Sequence, residues 1–306
     1  MPSQHNDIIE RIKNLKEKKK AVILAHNYQI NEVQLVADYI GDSLGLSIQA
    51  AKTEADMIIF CGVYFMAETA KILSPNKKVI IPDKKAGCPM ADMINAKQLR
   101  ELKVKHPKAK VLCYVNTSAE VKAECDLCCT SSNAARVVEK GFAPNEEIIF
   151  VPDKYLANYT SKQIGRDFIV WDGYCPTHAR ILADTIKKVQ KAHPKAKVIV
   201  HPECRNDVAE IADAVLSTGG MYNFVRDTEE EEIIVGTEVG MIERLRRDFP
   251  KKKIYPASDI AVCPNMKKTT LEKVLWALEE EEHEVIVDKE IADKARGSIE
   301  RMIAIG

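Results

Sequence analysis

The chain has 306 residues, 46% apolar and 29% charged, a composition that buries a large core without disulfide staples. Lys and Arg total 45, as do Asp and Glu, so the formal net charge is zero with histidine neutral, which argues against a nucleic-acid footprint or a polybasic membrane surface. The apolar runs Ala21–His26 and 57–60 fall far short of the roughly 20 residues of a membrane span, and the opening Met-Pro-Ser-Gln-His-Asn-Asp has no apolar leader, so the expected location is cytoplasmic.

Ile8, Ile9, Ile12 and Leu15 fall at helical spacing with Lys13, Lys16, Lys18, Lys19 and Lys20 on the wet side, so the chain opens on an amphipathic helix. Short apolar runs then alternate with helical patterns at 33–38, 67–73, 181–189 and 242–246, the pattern of βαβ units and parallel sheets. His-Pro-Lys-Ala-Lys-Val occurs at 106–111 and again at 193–198, an offset of 87. The same offset pairs Asn116 with Glu203, Ser131 with Thr218, and Cys88-Pro89 with Cys175-Pro176. An upstream copy, at offsets of 88 to 89, sets 21–27 against 111–116 and Gly41-Asp42-Ser43 against Thr130-Ser131 and Ser217-Thr218. Each copy continues through an Ile-rich strand (57–60, 147–151, 232–235), a helix and another strand to a Cys-Pro step, the third being Cys263-Pro264.

The predicted fold is therefore α/β, three similar small α/β domains with parallel sheets around a pseudo-threefold axis and the active site at the centre. The units are 1–87, 88–174 and 175–263. The tail 264–306 completes the first, with a helix near 269–281, a short strand at 284–287, and a helix carrying Ile291, Ala295, Ile299 and Met302.

Ligands of open parallel sheets gather beyond the carboxyl ends of the strands, often at helix N-termini. Three copies bring three such ends together, and each offers one cysteine there. Three thiolates at one point repel one another and lose hydration, so a cation is the natural resolution. Three soft sulfurs suit zinc or an iron–sulfur cluster. Structural zinc takes four ligands in close pairs, whereas Cys88, Cys175 and Cys263 stand singly, 87 and 88 residues apart. A 4Fe-4S cluster with three cysteine ligands leaves one iron open as a Lewis acid. The plain alternative is three repeat-related structural cysteines without metal.

Around these cysteines, His26 and Tyr28 follow the first strand of copy one, Tyr114 and Asn116 that of copy two, and His201 and Glu203 that of copy three. Such groups move protons or donate to a developing oxyanion. Ser43, Ser131 and Thr218 resemble N-cap residues, and hydroxyls at helix N-termini suit phosphate or carboxylate. Cys61 and Cys113 lie inside strand-like runs and read as core. Cys125, Cys128 and Cys129 have C-x2-C-C spacing with no second pair to complete a zinc site, and read as structural, on a helix-to-turn segment beside a strand.

In order, Ala25-His26-Asn27-Tyr28-Gln29, Gly41-Asp42-Ser43, Phe65-Met66-Ala67-Glu68, Cys88-Pro89-Met90-Ala91, Tyr114-Val115-Asn116, Thr130-Ser131, Cys175-Pro176-Thr177-His178, His201-Pro202-Glu203-Cys204, Ser217-Thr218-Gly219, Gly236-Thr237-Glu238-Val239-Gly240 and Ala261-Val262-Cys263 together resemble the quinolinate synthase family. The resemblance implies a 4Fe-4S cluster on Cys88, Cys175 and Cys263, its open iron acting as Lewis acid. It implies condensation of iminoaspartate with dihydroxyacetone phosphate to quinolinate, releasing phosphate and two waters, in de novo NAD synthesis, with functional coupling to L-aspartate oxidase. It further implies that Tyr28 is a mobile active-site phenol, that Tyr114 and Asn116 contact intermediates, and that Glu203 acts in acid–base steps. His26 and His201 would bind carboxylate or phosphate and move protons; Ser43, Ser131 and Thr218 would hold carboxylate or phosphate.

One departure concerns regulation. Some members carry the third ligand in a C-x-x-C-x-x-C run, whereas Cys263 is followed by Pro-Asn-Met-Lys-Lys, so that disulfide switch is absent. Three other classes compete. An open-iron reductase making isoprenoid precursors would need a diphosphate pocket, which the Tyr28, Tyr114 and Glu203 set does not resemble. A cluster-based sensor would need a basic helix or partner surface, and a zinc hydrolase would be colourless.

Overall fold

The computed structural model describes residues 2–306, with side chains from His5 onward. Among the described residues, twelve strands form three four-stranded sheets. The first holds β1 (Ala21–His26), β2 (Tyr39–Gly41), β3 (Met57–Cys61) and β4 (Lys78–Ile80). The second holds β5 (Lys110–Tyr114), β6 (Leu127–Cys129), β7 (Ile148–Val151) and β8 (Ile169–Val170). The third holds β9 (Lys197–Val200), β10 (Ala214–Val215), β11 (Glu232–Gly236) and β12 (Lys253–Pro256). Every neighbouring pair is parallel. The order is the same in each sheet, β2-β1-β3-β4, β6-β5-β7-β8 and β10-β9-β11-β12. The predicted α/β class with three similar parallel-sheet units is the fold observed.

Helices cover both faces, so the central strands are apolar throughout and sort their side chains by the two-residue period. In β1, Val22 and Leu24 join the large shared core, while Ile23 and Ala25 pack on the opposite face with Ile12 and Leu275. In β11, Ile233 and Val235 face the shared core and Ile234 faces a smaller one under the third sheet.

A repeated polar clamp fixes how each edge strand meets its centre. Asp38, Asp126 and Asp213 each accept the backbone N–H of a central-strand residue, Ile23, Val111 and Val198, at 2.8 Å. Each Asp amide in turn donates to that residue's carbonyl. The three aspartates stand 88 and 87 residues apart (126−38 and 213−126), the same interval as the cysteines.

The tail divides. The helix Leu271–Glu280, begun by Thr270, lies on the helix Pro2–Lys18 and on β3. The helix Lys289–Ile305 packs on β6 and on the helices Tyr64–Leu73 and Ala119–Lys122. The strand expected at 284–287 is reduced to an isolated antiparallel bridge between Glu284 and Ile80. His283 turns the chain at φ 63, Val285 is buried while Ile286 is 78% exposed, and Asp288 already caps the next helix, leaving no room for a ladder. Among the described residues no helix is long and apolar enough to cross a membrane.

Gly173 lies two residues before Cys175 in a close backbone crossing. A Cβ there would sit 2.3 Å from the carbonyl oxygen of Pro152, and Gly173 also accepts the Lys154 amide at 2.9 Å. Since backbone on both sides must move, Gly173→Ala is expected to destabilise by about 2 kcal/mol or more. Thermal unfolding checks this, and a Tm within one degree of the parent would refute the crossing as a constraint.

Candidate active site

The carboxyl ends of the three sheets open onto one chamber of about 70 Å³. Its wall contains His26, Tyr28 and Ser43 from the first sheet region; Tyr114, Asn116 and Ser131 from the second; His201, Glu203 and Thr218 from the third; and Cys88, Cys175 and Cys263. The twelve residues singled out in the sequence thus share one cavity.

The three hydroxyl residues are not the helix caps they resemble. Asp42 caps the helix Ser43–Lys52 by accepting from Gly45 N, and Ser217 caps Thr218–Asp227 by accepting from Gly220 N at 3.1 Å. Asn133 occupies the cap position of Ala134–Gly141, and its Oδ1 accepts the Thr130 amide at 2.8 Å. With neighbours in the capping role, Ser43, Ser131 and Thr218 are left to line the cavity.

A directed chain of hydrogen bonds crosses the chamber. Glu203 is buried, and burial alone would raise its pKa. The adjacent His178 outweighs this, aided by the Tyr114 hydroxyl, and holds the carboxyl below the usual carboxylate range. As an ionised acceptor, its Oε2 accepts a hydrogen bond from His178 Nδ1 at 2.8 Å. In the neutral tautomer with its proton on Nδ1, His178 Nε2 accepts; the Thr237 hydroxyl, at 2.9 Å, donates to it, and the Tyr28 hydroxyl, at 3.2 Å, is the other donor in reach. The Tyr28 hydroxyl donates in turn to Thr237 Oγ1 at 2.6 Å. On the other carboxylate oxygen, Tyr114 donates at 2.6 Å and Asn116 Nδ2 at 3.3 Å. Burial, reinforced by the Glu203 charge, pushes both phenols well above their ordinary range, so they hold their protons.

Two histidines are fixed in one tautomer by the backbone. The Tyr28 amide donates to His26 Nδ1 at 3.2 Å, and the Glu203 amide to His201 Nδ1 at 3.3 Å. Burial lowers both to about 3, so each is neutral near pH 7 with its remaining proton on Nε2.

Each of the three cysteines opens a short turn whose backbone amides draw its pKa down: Ala91 and Met90 for Cys88, His178 for Cys175, Met266 and Asn265 for Cys263. Burial dominates, pushing Cys88 up to about 12, Cys175 well above the ordinary range and Cys263 upward. Cys88 also feels Cys263, and Cys175 feels Cys88. All nine cysteines are free. Three thiols on the wall of one chamber, each with backbone amides aimed at it, are suited to a thiophilic metal centre. A smaller group is also able to hold a metal ion: donor atoms of Cys175, His178 and Glu203 lie within 4.8 Å of one another.

A family profile described as NadA, Quinolinate synthetase A protein, matches residues 10–304. The chain belongs to the quinolinate synthase family. It is 52% identical over 298 residues to the quinolinate synthase of Dehalococcoides mccartyi (strain CBDB1), covering 97% of this chain and 98% of that one. It is 49% identical over 302 residues to the quinolinate synthase of Methanosarcina barkeri (strain Fusaro / DSM 804), and 48% identical over 302 residues to quinolinate synthase 1 of Methanosarcina acetivorans, covering 99% of both chains in each pair.

Within this quinolinate synthase fold, two members of the hydrogen-bonded chain stood inside quoted motif runs without a role assigned to them. His178 stands three residues beyond Cys175, inside the turn that cysteine opens. Thr237 follows β11, the second central strand of its sheet. Scanning the ends of both central strands, rather than only the first, would have found it. Glu238, from the same run as Thr237, likewise carried no assigned role: buried, it accepts from Gly240 N at 2.8 Å and Cys263 N at 3.0 Å, and pairs with Lys267 at 3.0 Å. The cysteine cluster needs a correction, because Cys128 and Cys129 lie in β6 itself, with Cys125 bonded back to Val121 O at 2.9 Å. Three residues are too short a run to read as a strand beside two turns.

Proposed function

We propose that this chamber condenses iminoaspartate with dihydroxyacetone phosphate to quinolinate, with release of phosphate and two waters, as a step of NAD synthesis in the cytoplasm. The observation carrying this reading is the Tyr28–Thr237–His178–Glu203 chain standing in the same cavity as three thiols. Cys88, Cys175 and Cys263 would hold a 4Fe-4S cluster, which supplies an open iron as Lewis acid toward a departing hydroxyl.

The protein's own part is proton management. When the Tyr28 hydroxyl gives up its proton to Thr237, the Thr237 proton passes to His178 Nε2, and the imidazolium formed faces the Glu203 carboxylate. The Tyr28 oxygen is then a base for a substrate proton; it passes a proton to the departing hydroxyl, which leaves as water, and is reprotonated from His178 through Thr237, restoring the resting chain. His26 and His201 offer neutral Nε2–H donors to carboxylate or phosphate oxygens without adding charge. Ser43, Ser131 and Thr218 add hydroxyl donors, and Asn116 keeps Oδ1 unpartnered on the chamber wall. Tyr114 and Asn116 hold Glu203 while facing the substrate space. Iminoaspartate is short-lived, so supply by L-aspartate oxidase fits this chemistry.

Anaerobic incubation of the reconstituted protein with dihydroxyacetone phosphate and freshly generated iminoaspartate, followed by chromatography, tests the reading. Quinolinate should form, and should disappear with Cys175→Ala. A loaded cluster without quinolinate would overturn the substrate assignment.

A further inference from the structure

Asn27 directly follows β1 and is fully buried between two groups from the third sheet region. Its Oδ1 accepts from Arg244 Nη1, and its Nδ2 donates to Thr218 Oγ1 at 2.7 Å. A guanidinium has only donors, so Asn27 must present its oxygen to Arg244 and its NH2 to Thr218. Arg244 is itself held: it pairs with Asp248 at 3.4 Å, donates to Ile40 O at 3.3 Å, and lies 4.3 Å over the Tyr222 ring. The Asn27 backbone is fixed as well, donating to Gly41 O at 3.0 Å and accepting from Gln34 Nε2 at 3.2 Å. The amide therefore has one orientation.

That orientation decides what Thr218 does. Its oxygen is engaged as an acceptor, and among the described residues no acceptor takes its proton. Thr218 is buried and lines the chamber. We infer that Asn27, locked by Arg244, is a positioning residue that turns the Thr218 hydroxyl into an obligate donor toward an anionic substrate oxygen. This rests on Thr218 contacting the substrate, as proposed above. The ligand chemistry is a carboxylate or phosphate oxygen.

Asn27→Asp tests it with almost no change of shape. The new carboxylate keeps Arg244 but can only accept from Thr218, so the Thr218 lone pairs, and not its proton, would face the ligand. On cluster-loaded protein, calorimetric titration with quinolinate (carboxylates only) and separately with dihydroxyacetone phosphate (phosphate only) reads both anion types. Asn27→Asp is expected to raise Kd about tenfold or more for at least one of them, and the one affected identifies the group Thr218 meets. Thr218→Val should raise the same Kd about tenfold. Added to Thr218→Val, Asn27→Asp should cost less than about twofold, because no hydroxyl remains to be turned.

An unchanged Kd on Asn27→Asp, or an equal rise in the Thr218→Val background, would overturn the inference; the latter is plain charge repulsion. An unchanged Kd on Thr218→Val for both ligands removes Thr218 from the substrate contacts, and the inference falls with that reading. If Asn27→Asp fails to load a cluster, Arg244→Met carries the test. The freed amide can flip, so a rise of about threefold is expected, absent in the Thr218→Val background; no rise in the parent background refutes the arrangement.

Discussion

Glu203→Gln is expected to lower kcat by about a thousandfold while the cluster loads normally, within the range for losing general acid–base catalysis. The substitution removes the charge that stabilises a His178 imidazolium, and it also breaks the hydrogen-bond census. Three donors aim at the two carboxylate oxygens: His178 Nδ1 at Oε2, Tyr114 and Asn116 at Oε1. Glutamine offers one oxygen and one NH2, so at least one donor faces another donor. Tyr28→Phe should fall in the same direction, because the chain then ends at Thr237. Steady-state kinetics under anaerobic conditions check this, with KM moving less than kcat. Near-parent kcat in either variant would take that residue out of the relay.

The pH profile supplies a second readout. His26 and His201 are lowered to about 3 by burial, so both stay neutral as pH falls from 8 to 5. Glu203 lies below the usual carboxylate range and remains charged over the same span. A limb of kcat/KM within that window therefore belongs to none of these three. The same two histidines do make stability depend on pH. In the unfolded chain they protonate below about 6.5, so between that pH and about 3 the unfolded state binds more protons, and stability declines as pH falls through the interval.

Much of this was legible because the repeat carries its chemistry with it. An apolar run such as 57–60 has no periodicity that separates strand from buried helix, yet its recurrence at 147–151 and 232–235, each followed by a helix and a Cys-Pro step, resolves the ambiguity. The three cysteines were readable for the same reason: one residue type recurs at one place in each copy while the surrounding positions diverge. Some of what stayed hidden lacks a repeat partner. Thr237 has Gly62 and Pro152 at the ends of β3 and β7, residues that share no chemistry with it. The helix caps were misread by one or two positions because Asp42-Ser43 and Ser217-Thr218 each offer two capping side chains in a row, and only backbone geometry decides between them. The clamp aspartates recur at the repeat interval, but a lone Asp before a short edge strand resembles any turn residue until its partner amide is seen.

Cys88→Ala, Cys175→Ala and Cys263→Ala are each expected to abolish cluster loading and turnover, whereas Cys61→Ala and Cys113→Ala should keep both. Cys61 and Cys113 are fully buried in β3 and β5, and burial pushes both thiols far above their ordinary range. They behave as small hydrophobes, and truncation should cost about 1 kcal/mol of stability. Iron and sulfide analysis after anaerobic reconstitution, with the visible absorbance, reads the outcome. The Cys175, His178 and Glu203 group makes the pattern decisive. If that trio held a single ion, Cys175→Ala would lose metal but Cys88→Ala and Cys263→Ala would retain it, and Glu203→Gln would weaken binding. If the three sulfurs hold one cluster, all three cysteine variants fail alike and Glu203→Gln loads fully. Normal iron content in Cys88→Ala and Cys263→Ala would therefore sink the three-thiol centre and shift the metal to the histidine side of the chamber.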